Sequence, residues 1–397
     1  MITGSLQVKN NLWYAVLNLY VDGKRKLKWV STGLAAPGNK RAANKALQDI
    51  IQEYEDKAKQ TTPIAAEEPF ADYMQSWLTT AKASIQPTTM QSYRQMVNGR
   101  IETHFRPKGI KLGELQPLHI HEFYQGILAE GKTANTVIHY HAVIRRALNQ
   151  AFKLGIIPSN PADRIDRPKK NKFTAGYYTQ DEVATLLEAT SDDPLNIAIY
   201  IGVYYGLRRS EVLGLRWSAI DFENKTISVN HKVVELDVDG EFIPVGLDTL
   251  KTASSHRTLP LVEEIEERLK EEKQKQEFFR KLFKKTYCKE WLGYVCIDQQ
   301  GKILRPNYVS EHFAWLLNKY GLRKIRFHDL RHTCASFLVQ KKIQMKQVQE
   351  WMGHSDIGTT GNIYSHLDFD SKLESADAIG SIIRGEKGGN GSKEKTA

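Results

Sequence analysis

Hydrophobic periodicity changes near residue 40, and that change constrains the fold more than any other feature of the chain. Before it, Trp13, Ala15, Leu17, Leu19 and Val21 alternate with other residues, which predicts a strand with one buried face. Asp22-Gly23 is a hairpin turn signal, and a return strand is predicted through Trp29 to Thr32. After it, Ala43, Leu47, Ile50, Ile51 and Tyr54 recur at helical spacing, so residues 40–59 read as an amphipathic helix. Residues 60–68 read as a linker. From Pro69 the chain reads helical, with breaks near Ala83–Pro87, Pro107–Leu115 and Gly131–Thr133. Thr133 is a candidate N-cap, followed by Val137, Tyr140, Ile144, Leu148 and Ala151 on one face.

A basic, proline-containing linker runs over 164–174. Beyond it Gln180-Asp-Glu-Val opens a helix, and Leu195–Leu207 reads as a buried helix ending just before Arg208. Strands are predicted at 226–234, at 257–261 and near 294–298. Residues 262–285 read as a densely charged, solvated surface helix with Phe278, Phe279, Leu282 and Phe283 near its end. Leu373, Ala376, Ile379 and Ile383 return to helical spacing, and the glycine- and lysine-rich residues 385–397 are expected to be disordered. The expected class is multidomain α+β: a small β-hairpin/helix module at the amino terminus, a helical bundle, and a mainly helical domain with a small antiparallel sheet. The expected boundaries are 1–62, 66–165, 175–384 and a tail over 385–397.

The formal net charge of +10 and the sequence pI of about 9.2 favour a polyanionic partner. The three cysteines, Cys288, Cys296 and Cys334, are odd in number and lack a Cys-x-x-Cys pair, which argues against a disulfide scaffold or a structural zinc site. The first residues lack the apolar core of a signal peptide. The most apolar stretch, Leu195 to Leu207, is too short and interrupted to span a bilayer. A soluble, cytoplasmic protein with no membrane partner is expected.

Four short strings carry the chemistry. They are Gly-Leu-Arg-Arg-Ser-Glu at 206–211, Lys-Thr at 251–252, His-Asp-Leu-Arg at 328–331, and Gly-His at 353–354 with Tyr364 ten residues later. Together they supply two arginines, a lysine and two histidines that can hold one phosphate, beside one hydroxyl that can attack it. A guanidinium stays charged and matches phosphate oxygens with a planar fork of donors. Fixed donors of this kind stabilise the charge that develops on phosphoryl oxygens. The chain shows no obvious carboxylate cluster to hold Mg²⁺.

Order and content of these strings resemble the tyrosine recombinases, the family of phage and transposon integrases. The whole layout is most similar to integrases of bacterial conjugative transposons. The resemblance implies a site-specific recombinase that cuts and rejoins DNA through a 3′-phosphotyrosine, without metal, ATP or other cofactor. It implies that Arg208, Arg331, His328 and His354 bind the phosphate, that Lys251 on a β-hairpin protonates the leaving 5′ oxygen, and that Tyr364 is the nucleophile. A tyrosine is weak at neutral pH, its free pKa being near ~10, so nearby positive charge would favour the phenolate. The family carries a four-helix core-binding bundle where residues 66–165 lie, and an arm-binding domain where residues 1–62 lie. Expected partners are double-stranded DNA at core and arm sites, three further copies of the chain on that DNA, and an accessory excision factor. Arg209 stands where the family often has an apolar residue, and Trp351-Met352 where it often has Leu-Leu.

Several residues admit two readings. Lys24, Lys26 and Lys28 share one strand face, which either meets DNA in the major groove or guards an edge strand against aggregation. Arg167, Lys169 and Lys170 in the basic linker either follow a DNA backbone or keep the linker solvated. Arg208 and Glu211 are also spaced as an ordinary i,i+3 helix pair. His328 and His332 have the i,i+4 spacing of zinc ligands, but Asp329 stands where a zinc peptidase carries Glu. A DNA-binding regulator that keeps the fold without cutting is the remaining alternative.

Overall fold

The computed structural model describes residues 3–21, 24–60, 64–170, 176–238, 240–248 and 255–353. Lys251, His354, Tyr364, the predicted helix over 371–383 and the tail over 385–397 lie outside the described residues. The chain divides into two compact units, with the boundary at 172/173.

The first unit opens with three antiparallel strands, β1 (Thr3–Lys9), β2 (Leu12–Val21) and β3 (Lys24–Ala35), followed by helix α1 (Lys40–Gln60). The sequence predicted a two-stranded hairpin here. Strand β1 escaped notice because its exposed polar residues break the apolar alternation that marked β2. Ala15 and Leu17 are buried with Leu47 of α1, and Leu6 and Val30 pack against them, so α1 covers one face of the sheet.

The remaining helices of this unit are α2 (Phe70–Ala81), α3 (Pro87–Met96), α4 (Glu102–Phe105), α5 (Pro117–Ala129) and α6 (Ala134–Lys153). Local chemistry sets their limits. Pro87 and Pro117 stand at first helical positions, where a missing N–H costs nothing. The Thr133 hydroxyl accepts from the Thr136 N–H at 3.4 Å, as the N-cap reading requires. Trp77, Phe70, Phe105, Ile120, Ile127, Val137, Ile144 and Leu148 form one buried core.

The second unit begins with α7 (Gln180–Ala189), whose start is fixed by a reciprocal capping box between Thr179 and Glu182. Helix α8 (Asn196–Tyr205) is buried on nearly all sides and ends at Gly206, in the left-handed conformation at φ +58°. Helix α9 (Arg209–Leu213) follows at once. Strands β4 (Ile220–Asp221), β5 (Thr226–Val229) and, further along, β8 (Arg257–Pro260) form one small antiparallel sheet. Strands β6 (Lys232–Val238) and β7 (Glu241–Leu247) form a separate hairpin.

The predicted strand over 226–234 is therefore two strands with different partners. His231 lies at the break, buried, with Nδ1 bonded to Asp248 at 2.7 Å and Nε2 to the Tyr294 hydroxyl at 2.9 Å. Strand β7 was hidden from sequence by Pro244 and Gly246, tolerated here because the hairpin has two edges and no interior strand. The predicted strand near 294–298 is reduced to isolated bridges, Arg216 with Tyr294 and Ile297 with Ile303.

Helix α10 (Glu263–Phe283) is the densely charged segment. It is less solvated than expected. Ile265 and Leu269 are fully buried, Phe279 and Phe283 pack against the core, and Gln276 bonds the Trp217 indole at 3.0 Å and the Val295 carbonyl at 2.8 Å. Helices α11 (Pro306–Lys319), α12 (Asp329–Gln340) and α13 (Met345–Met352) complete the unit. Leu330 of α12 packs beside Gly202 of α8, which seats the start of α12 against the end of α8. Among the described residues, no helix is long and apolar enough to cross a membrane.

Candidate active site

The end of α8, the start of α12 and the end of α13 meet at one place. A Cβ on Gly206 would stand 2.7 Å from the Met352 thioether, so this position needs glycine for both its left-handed turn and the close approach of α13. Helix α13 ends at Gly353, also left-handed at φ +63°. Its last carbonyls lack helical partners and carry the negative end of the helix dipole.

Three arginines each take one of three consecutive carbonyls there. Arg257 donates Nε to the Trp351 carbonyl at 2.9 Å, Arg331 donates to Met352 at 2.6 Å, and Arg208 donates to Gly353 at 3.0 Å. Arg331 also donates to the Gly206 carbonyl at 2.5 Å and is only 2% exposed. Two residues predicted from sequence as phosphate ligands, 123 positions apart, thus converge on adjacent backbone groups.

One carboxylate lies among the arginines. Glu211, 3% exposed, accepts from Arg208 Nη1 at 2.6 Å through Oε1 and from Arg257 Nη2 at 3.1 Å through Oε2. The i,i+3 pair is therefore real, but it is buried and shared, unlike a surface pair. Glu211 is held below the usual carboxylate range: Arg257 and Arg208 outweigh the upward push of burial. Three guanidinium groups against one carboxylate leave the cluster with a net charge of +2. Arg331 shows the consequence, pushed down to about 9 by desolvation first and then by Arg208, yet still charged at neutral pH. An oxyanion placed here would relieve that repulsion.

His328 stands at the N-cap of α12, and its own backbone carbonyl accepts from the Arg331 N–H at 3.1 Å. Part of the residue is exposed, but desolvation, then His332, Arg331 and Arg326, push its pKa down to about 4. That shift favours the neutral imidazole at pH 7, which meets a phosphate as a hydrogen-bonding group. The His332 ring packs edge-on to it, with centroids 5.5 Å apart, and faces Asp329, whose carboxylate Arg326 occupies at 2.7 Å. Among the described residues no group of three His, Cys, Asp or Glu side chains is gathered as a metal site. Arg209 points elsewhere, to the Ser310 hydroxyl of α11.

Arg257 and Glu211 were missed as site residues. A signal existed: along β8, Arg257 has the same parity as buried Leu259, while Thr258 and Pro260 are exposed. A charge on the inward parity of a strand marks a partner inside.

The cations predicted to bind DNA away from the reacting phosphate lie in the first unit. Arg167, Lys169 and Lys170 are exposed, in chain without regular structure. Arg167 helps line a groove of about 480 Å³ with Arg145, Arg146, Asn149 and Lys153 of α6. Lys26 and Lys28 are exposed on β3, opposite Leu19 and Leu17. Directly opposed residues of an antiparallel pair share a face, so these lysines are on the α1 side of the sheet, at its edge. The Lys24 side chain lies outside the described residues. The uncovered face instead carries Gln7, Lys9, Tyr14, Asn18, Leu27 and Trp29, with Trp29 43% exposed, Lys9 over its ring at 5.7 Å and Tyr14 edge-on at 6.1 Å.

A cluster of three guanidinium groups around one carboxylate, on a mainly helical domain, has the charge to hold a phosphate-like anion. Comparison with known proteins agrees. The phage integrase family matches residues 177–371, and the amino-terminal SAM-like domain of phage integrases matches residues 69–128. A XerC-like tyrosine recombinase of Caldanaerobacter subterraneus subsp. tengcongensis is 25% identical over 324 residues, covering 79% of this chain and 83% of that protein. The ICEBs1 integrase of Bacillus subtilis is 22% identical over 331 residues, covering 83% and 86%. In fold, the chain is similar to the Tn1549 transposon integrase in complex with transposon right-end DNA, with TM-score 0.64 and 21% identity over 78% of this chain and 99% of that one. It is also similar to the lambda integrase tetramer bound to a Holliday junction, with TM-score 0.55 and 17% identity over 90% and 94%. The chain belongs to the phage integrase family, the tyrosine recombinases. Its activity is site-specific DNA recombination, by cleavage and rejoining of DNA strands.

Proposed function

We propose that Tyr364 attacks a DNA phosphodiester held by Arg208, Arg331, His328 and His354, while Lys251 protonates the leaving 5′ oxygen. The convergence of Arg208 and Arg331 on the end of α13 carries this reading. That helix end immediately precedes His354, and Tyr364 follows ten residues later. The phosphorane would gain charge where the cluster already has net charge +2. The ester to tyrosine conserves the energy of the broken bond, so rejoining needs no ATP.

Residues 66–165 act as the core-binding domain, with the basic groove of α6 and Arg167 tracking the DNA backbone; Lys169 and Lys170 continue that path. Residues 1–62 bind arm sites, residues 175–384 form the catalytic domain, and 385–397 are a tail. The uncovered sheet face around Trp29 is better placed to read a groove than Lys26 and Lys28, which lie toward α1 and would meet the DNA backbone from the sheet edge; Lys24 stays in the proposed arm-binding set. The similarity to the Tn1549 and ICEBs1 integrases supports an element of the conjugative-transposon type, and the fold shared with the lambda integrase tetramer on a Holliday junction supports four subunits on two duplexes; an accessory excision factor and action in the cytoplasm complete the proposal.

The test is trapping on nicked duplexes that carry candidate element ends, with excess EDTA and no ATP. Covalent protein–DNA adduct is expected. Strict dependence on Mg²⁺ or Zn²⁺ contradicts the mechanism.

A further inference from the structure

Glu211 has to be reconciled with the arginine that it faces. A buried carboxylate bonded to Arg208 at 2.6 Å weakens Arg208 as a phosphate donor, because the ion pair neutralises part of its charge. Arg257 intervenes. It is 7% exposed in its side chain, and all its observed contacts are inside the protein: Glu211 Oε2 at 3.1 Å, the Ser255 carbonyl at 3.0 Å and the Trp351 carbonyl at 2.9 Å. Its guanidinium is thereby spent on three groups that belong to three segments, α9, the approach to β8, and the end of α13. Three of its five N–H donors are thus taken inside the protein, and its burial keeps the rest from a phosphate.

We propose that Arg257 is a positioning residue that acts through Glu211, occupying one carboxylate oxygen so that Arg208 keeps its charge for the DNA phosphate. The inference rests on the phosphate reading of the site. Charge arithmetic makes it specific. With Arg208, Arg257, Arg331 and Glu211 the cluster sums to +2; without Arg257 it falls to +1; without both Arg257 and Glu211 it returns to +2. In the middle state Glu211 has Arg208 as its remaining partner within the cluster, and the buried carboxylate draws that guanidinium into a full pair. Arg257 also fixes the Trp351 carbonyl next to those that hold Arg331 and Arg208, so it sets the spacing of the pair.

The experiment is single-turnover cleavage of a nicked suicide duplex at saturating full-length protein, with DNA binding and thermal melting measured alongside. Arg257→Gln is expected to cut on the order of 10²-fold more slowly with DNA affinity nearly unchanged. The double variant Arg257→Gln/Glu211→Gln is expected to regain at least ~10-fold over Arg257→Gln, a coupling between touching residues. A double variant as slow as, or slower than, Arg257→Gln overturns the proposal and leaves Arg257 a purely structural residue. Arg257→Lys keeps the charge and the reach to Glu211, and decides the matter if the glutamine variant does not fold. Cleavage within ~10-fold of wild type is then expected, and loss equal to that of an unfolded protein overturns it. Wild-type protein that forms no covalent product on any element end would sink the phosphate reading itself, a different failure.

Discussion

Arg331→Gln should separate stability from activity. Removing the guanidinium deletes charge-assisted bonds to the Gly206 carbonyl at 2.5 Å and the Met352 carbonyl at 2.6 Å. Bonds of that kind are worth ~1.5–3 kcal/mol each, so the loss is on the order of 3–6 kcal/mol, less whatever one amide N–H recovers. Against it stands the cost of the charge. The Arg331 guanidinium is pushed down to about 9 by burial and by Arg208. At ~1.4 kcal/mol for each pH unit below the ordinary arginine value of ~12.5, that cost is on the order of 5 kcal/mol. The two terms nearly cancel, and the expected net change is within ~2 kcal/mol, a few degrees in Tm for a domain of this size. Activity has no such compensation, because the charge is needed when the phosphorane forms. A loss of ~10²–10³-fold in single-turnover cleavage is expected. Thermal melts and cleavage of a suicide duplex measure both. A melt lowered by more than ~15 °C, or cleavage within about three-fold of wild type, refutes the reasoning.

Three further outcomes follow from the geometry. Gly206→Ala forces a Cβ to 2.7 Å from the Met352 thioether at a positive φ; a stability loss of ~1–2 kcal/mol from the backbone alone is expected, with slower cleavage as Met352 shifts from Arg331, and unchanged melting and cleavage contradict it. His328, at about 4, has a folded pKa below its unfolded value of ~6.5, so the unfolded chain takes the proton first and stability falls as pH drops from ~6.5 toward 4. The Tm difference between wild type and His328→Gln should therefore change over that interval, and parallel curves from pH 4 to 7 count against a depressed His328. In full-length protein Trp29→Ala should lower arm-site affinity more than Lys26→Ala/Lys28→Ala, whose loss should shrink with salt, since lysines at the sheet edge meet phosphates and not bases; the reverse order restores the lysine row as the main contact.

Sequence disclosed the parts of this molecule that depend on local chemistry. Thr133 announces a helix start, Gln180-Asp-Glu-Val announces α7 and alternation announces β2, because each needs only neighbours in the chain, whereas α8 ends at Tyr205, two residues before the expected Leu207. Strand β1 and strand β7 were illegible because their pairing partners, not their own patterns, make them strands. The same divide runs through the site. Arg208 and Arg331 were legible as motif residues, each in a string of recognisable order. Their attachment to the adjacent carbonyls of Met352 and Gly353 at the end of α13 was not, since backbone groups carry no sequence signature. Arg257 fell between: its inward parity on β8 was readable, but its partner Glu211 lies 46 residues away. The downward shift of His328 required the tertiary structure, because desolvation, His332, Arg331 and Arg326 set it together.

Peptide mapping of the covalent adduct tests the central claim most directly. Wild-type protein should be trapped on a nicked element-end duplex, then digested with protease and nuclease, and the nucleotide-bearing peptide sequenced by mass spectrometry. The account predicts a 3′-phosphate ester on Tyr364, a free 5′ hydroxyl on the released strand, and DNA binding without adduct for Tyr364→Phe. An adduct on any other residue, a 5′ linkage, or normal cleavage by Tyr364→Phe would contradict it.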